Sequence, residues 1–154
     1  MESVTETARV LLTAAILSAV VLTTFVWRLT RPDRAPHQKL VDQLYLSQWA
    51  ALLLAASGAV SLGLAVAASA APGAVLEVIV GLATIALSLV VLRREPREAL
   101  LAAGAFFILH ALFDWAHRPA LIIVDFIPWW WLSGSAIYDV YIAALCFVAI
   151  RKAD

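Results

Sequence analysis

Hydrophobic residues run through this chain in five long blocks, separated by short clusters of charge, proline and glycine. Thr7 to Trp27 is apolar apart from Arg9 and a few hydroxyls, long enough as a helix to cross about 30 Å of hydrocarbon. Arg9 falls in its first turn, where a long side chain can reach back to the headgroups. Residues 1–6 carry Glu2 and Glu6 and no basic residue, unlike a secretory signal peptide, so the block is expected to be a retained helix. Arg28, Arg31, Pro32, Asp33, Arg34, Pro36, His37 and Lys39 then predict a loop. The second helix is expected over about 45–69, with Ala55, Ala59, Gly63 and Ala67 forming a face of small residues against which another helix can pack closely. Ala71, Pro72 and Gly73 make a turn into a third helix over 74–92, and Pro96 with Glu98 suits the first turn of a fourth, 98–117.

The segment after that is too short to span. Ala120 to Ile127 is broken by Asp125 and Pro128, and Trp129, Trp130 and Trp131 form an aromatic belt of the kind found at membrane interfaces. A fifth helix is expected over 131–150, stopped by Arg151 and Lys152. The pattern holds no strand signal. The fold class is therefore all-α: one integral membrane bundle of five transmembrane helices over residues 1–154.

Composition agrees with that pattern. Of 154 residues 64% are apolar and 14% charged, far from the soluble balance of about half and a quarter. Eleven basic and eleven acidic residues leave no net charge, and no nucleic-acid partner is indicated. Cys146 is the single cysteine, which excludes an internal disulfide and a cysteine-rich zinc site. The basic residues are unevenly placed. Arg28, Arg31, Arg34, Lys39, Arg93, Arg94, Arg97, Arg151 and Lys152 lie at one end of the bundle, and only Arg9 and Arg118 at the other. The positive-inside rule then puts the N-terminus outside and the C-terminus in the cytoplasm, in the inner (plasma) membrane, as an odd number of helices requires.

Candidate chemistry concentrates in the fourth helix, over F-F-I-L-H-A-L-F-D-W-A-H from Phe106 to His117. His110, Asp114 and His117 fall at i, i+4 and i+7, one stripe of a helix. Ionisable groups at membrane depth are expensive and are usually paired or functional. From the helical rise, Asp114 lies ~5 Å and His110 ~10 Å below His117, Asp139 ~12 Å into the fifth helix, and Glu77 ~5 Å into the third. If the third, fourth and fifth helices are neighbours, His110 is expected to face Asp139, and Asp114 to face Glu77. Solvation of Glu77 by the headgroups is the simpler reading of that residue.

Such groups would form an outward-facing polar pocket, lidded by Ala120–Trp131. His110, Asp114, His117 and Asp139 make a mixed nitrogen and oxygen set suited to a divalent transition metal such as zinc. His110, Asp114, Asp139, Tyr138 and Trp130 would line a site for a lipid-like ligand. Proton relay is a further possibility, disfavoured by an inner half that offers only Asp42, Gln43, Gln48 and hydroxyls near its end. The competing structural reading has Asp114 pairing with Arg118, His117 capping its helix, and His110 bonded to Asp139 as an interhelical clamp.

The C-terminal third, L-H-A-L-F-D-W-A-H-R-P through I-P-W-W-W to I-Y-D-V-Y-I-A-A, resembles a group of small bacterial integral membrane proteins of unknown function. These pair a His…Asp…His helix with a Trp/Pro segment and a final Tyr-Asp helix. The resemblance implies that His110, Asp114, His117 and Asp139 belong together, and implies no activity. A more distant likeness is to the seven-helix membrane hydrolases related to alkaline ceramidases, which use His and Asp around zinc; this chain has two helices fewer. The expected function is a small multi-pass protein whose outward pocket binds a metal ion or a lipid-like ligand. The alternative is a non-enzymatic assembly subunit, its small-residue face meeting a second copy or a partner membrane subunit. No residue is assigned a catalytic role.

Overall fold

The computed structural model describes residues 2–117, 121–122 and 126–153. Five helices make up its regular structure: α1 (Glu2–Leu29), α2 (Pro36–Ala67), α3 (Ala74–Leu92), α4 (Pro96–Ala116) and α5 (Trp129–Ala153). All five are long and apolar enough to cross a membrane, and no strand occurs among the described residues. Large apolar side chains stand exposed on every helix, among them Leu17, Leu52, Ile79, Leu109 and Ile137, as lipid-facing surfaces require. The chain is a multi-pass membrane protein.

Proline and glycine set the breaks between helices. Residues 36–44, expected in the first loop, are instead the opening turns of α2. Ala35 is extended (φ −63°, ψ 150°) and Pro36 takes the first helical position, where its missing N–H leaves no bond unmade. The 32 residues of α2 therefore span ~48 Å, well beyond the hydrocarbon thickness. Pro96 opens α4 the same way, after an extended Glu95. Between α2 and α3, Ala71 N–H donates to the Ala68 carbonyl (2.8 Å) and Gly73 sits at φ 84°, a left-handed conformation that glycine adopts without steric cost.

Packing within the bundle relies on small residues. Ala50, Ala51, Ala99, Ala103, Ala143 and Ala149 sit in one buried cluster around Leu54, Leu100 and Phe107. With lipid outside, burial of apolar groups adds little between helices, so close backbone approach and dispersion contacts hold the bundle. The tightest crossing is α2 on α3. A Cβ on Gly58 would lie 2.6 Å from the Gly81 carbonyl oxygen, and one on Gly81 would lie 2.7 Å from that of Gly58. The face predicted for this role is a different one: Ala59, Gly63 and Ala67 are exposed, and a Cβ on Gly63 would meet nothing within 4 Å. The packed face of α2 runs through Ala51, Leu54, Gly58 and Ala65.

Helix α4 packs on α2, α3 and α5, whereas α3 and α5 do not touch among the described residues. Helix α1 meets only α2 and α5, and Val26 is its one buried side chain among those described. Polar contacts fasten it to α5. Ser18 Oγ and Tyr138 Oη share a hydrogen bond (2.9 Å), and the Tyr141 hydroxyl donates to the Ala19 carbonyl (2.7 Å) while contacting Thr23 Oγ1 (2.5 Å).

Candidate metal centre

The inward stripe of α4 continues from Phe107 through His110, Ala111 and Asp114 to His117, its C-cap, and all five are buried. On α5, Asp139 lies one turn before Ile142 and Ala143, on the same core-facing side. Helix periodicity therefore turns the two stripes toward each other across the α4–α5 contact. His110 Nδ1 lies 2.7 Å from Asp139 Oδ2 and 3.9 Å from Asp114 Oδ2. One ligand atom from each of His110, Asp114 and Asp139 falls within 4.8 Å of the other two, a group that could hold a metal ion. Asp114 Oδ2 and His110 Nε2 are buried without a hydrogen-bond partner among the described residues.

A second pair adjoins this group. His117 Nδ1–H donates to the Phe113 carbonyl (2.8 Å), and its ring stands edge-on to Phe113. That bond turns Nε2 toward Glu77 Oε1, 2.6 Å away on α3. The two buried side chains thus meet in a close polar contact between α3 and α4. Together with the first group this makes one cluster of five buried ionisable side chains.

The predicted pairing of His110 with Asp139 is present; that of Asp114 with Glu77 is replaced. Glu77 meets His117 instead, and at 2% exposure it is not solvated by headgroups. A signal for this lay in α3, where Ala74, Glu77, Gly81, Thr84 and Ser88 form a small and polar buried stripe on a helix otherwise rich in Val, Leu and Ile. His117, expected among the metal ligands, is directed at Glu77, outside the group of three. Tyr138, expected to line the site, spends its hydroxyl on Ser18. Trp130 is half-buried, its Nε1 is enclosed without a hydrogen-bond partner among the described residues, and its ring stands edge-on to Trp131. Arg118, the expected partner of Asp114, and residues 120 and 123–125 of the expected lid lie outside the described residues.

Charge balance constrains what the cluster can be. Three carboxyls and two imidazoles are buried together, so even two imidazolium ions would leave an excess negative charge. Buried charge is tolerated when paired or when it coordinates a metal. A divalent cation between Asp114 and Asp139 cancels both carboxylates, and protonated His117 cancels Glu77. Comparison with protein-family models, with curated proteins and with solved structures finds no match to this chain.

Proposed function

We propose that this protein binds a divalent transition-metal ion, zinc foremost, through His110, Asp114 and Asp139 in the outer half of the membrane. The excess of buried carboxyls over imidazoles, with Asp114 Oδ2 left without a hydrogen-bond partner among the described residues, carries the reading. Donor type supports it, since imidazole and carboxylate together suit zinc and its neighbours. Spacing supports it as well. Ligands of tetrahedral zinc stand ~3.4 Å apart for bonds of ~2.1 Å, and the separations of 2.7 and 3.9 Å from His110 Nδ1 straddle that value. Small side-chain rotations would equalise them. Three protein ligands leave a fourth position for water or a ligand, the pattern of catalytic rather than closed structural zinc sites. His117 and Glu77 would then act beside the metal, orienting a bound polar group or passing it a proton. The bias of basic residues toward the opposite end of the bundle supports an outward-facing site, with the N-terminus outside and the C-terminus cytoplasmic.

The direct 2.7 Å contact of His110 with Asp139 favours a second reading, in which the cluster is an interhelical clamp in an assembly subunit. Elemental analysis of the detergent-purified protein separates the two. Near-stoichiometric zinc, iron or copper that is lost in the His110→Ala/Asp139→Ala double variant supports a metal protein. A folded wild-type protein that neither carries nor takes up these metals leaves the clamp.

A further inference from the structure

Far from the polar cluster, at the end of the bundle where α1 finishes and α2 begins, lies a small basic recess. Thr30, Arg31, Lys39, Gln43 and Lys152 line it together with the apolar Leu29, Leu46 and Ala149. It holds three cations and no carboxylate among its lining residues. Arg31 stacks on the Trp27 ring at 4.6 Å, and neither Lys39 nor Lys152 has an ion-pair partner among the described residues. Leu46 and Ala149 also line a second groove, which runs from the recess along the seam between α1 and the rest of the bundle. That groove is almost wholly apolar, walled by Leu22, Phe25, Trp49, Leu53, Ile142 and Leu145.

From this continuity we infer that the seam is a binding site for one anionic phospholipid, its phosphate in the basic recess and an acyl chain along the groove. Charge selects the headgroup: three cations without a counter-carboxylate attract a phosphate, as basic pockets between membrane helices do. The apolar groove selects a lipid over inorganic phosphate, because burying its wall needs a hydrocarbon chain. Position agrees with both, since the recess lies among the basic loops and the groove runs toward the membrane interior. Helix α1 touches the bundle only at α2 and α5, the two helices that share the seam, so a lipid there would fasten α1 to the core. Nothing in this inference depends on the metal centre.

Native mass spectrometry of the full chain in detergent, titrated with phosphatidylglycerol or phosphatidylcholine, tests it. Phosphatidylglycerol adducts are expected at least tenfold more readily than phosphatidylcholine adducts. Lys39→Gln/Lys152→Gln should weaken them about thirtyfold, the effect of two cations at a membrane surface. Lys39→Arg/Lys152→Arg should keep them, as should Arg93→Gln/Arg94→Gln, which removes the same charge elsewhere. Leu145→Trp, which leaves the recess intact but fills the groove, should also reduce adducts at least tenfold, and it covers the case in which the lysine variant fails to fold. Equal binding of the two lipids would overturn the inference, as would indifference to either the lysine or the Leu145 substitution. Displacement of the lipid by an equal concentration of inorganic phosphate would overturn it too, assigning the recess to the free anion.

Discussion

His110 on α4 and Asp139 on α5 meet at 2.7 Å in the buried interior, joining the two helices through a polar contact. Asp139→Asn keeps an oxygen acceptor for the ring and removes the charge. The variant should fold, with a melting temperature within a few degrees of wild type, and should lose metal at least tenfold. Asp139→Ala leaves the imidazole unpaired and should also cost about 1–3 kcal/mol of stability. Thermal unfolding followed by circular dichroism, beside elemental analysis, reads both effects. Equal metal content in wild type and Asp139→Asn would contradict the proposed site.

Metal binding should also depend on pH and on chelation. Imidazole and carboxylate ligands bind metal only when deprotonated, so zinc affinity must rise with pH and fall on acidification. Isothermal titration in detergent should therefore find tighter binding at pH 8 than at pH 5.5. Free zinc at a hundred times its dissociation constant should stabilise the fold by about 2.7 kcal/mol, an increment that a chelator removes. A melting temperature unmoved by either treatment speaks for the clamp.

The Glu77–His117 contact joins α3 to α4 and is separate from the three-ligand group. A double-mutant cycle of Glu77→Gln and His117→Gln should give a coupling of about 0.5–2 kcal/mol, the range for polar contacts between membrane helices. Zinc stoichiometry should survive in each single variant. A coupling of zero would remove the ion pair, and loss of zinc in His117→Gln would make His117 a ligand.

Two glycines on α2 should respond oppositely to substitution. Gly58→Ala forces a methyl to within 2.6 Å of the Gly81 carbonyl and should destabilise by about 1–3 kcal/mol, through separation of α2 from α3. Gly63→Ala meets open space and should be neutral or slightly stabilising, since alanine is the better helix former. Melting temperatures of the two variants check the assignment of the packed face.

The sequence by itself determined the five membrane-spanning helices, because hydropathy and proline or glycine breaks are local properties of the chain. It also determined the stripe of His110, Asp114 and His117, whose spacing within one helix follows from 3.6 residues per turn. One break misled: Pro36 reads equally as a loop residue or as the first residue of a helix, and only the extended Ala35 before it decides between them. Contacts between helices were decided by the tertiary structure. Spacing within α3 says nothing of which α4 residue Glu77 meets, and a small rotation or shift of one helix exchanges Asp114 for His117. In the same way Gly63 and Gly58 both lie on faces of α2 rich in small residues. Only the crossing with Gly81 selects Gly58, because close helix packing depends on where two backbones come nearest, a property of the pair and of neither helix alone.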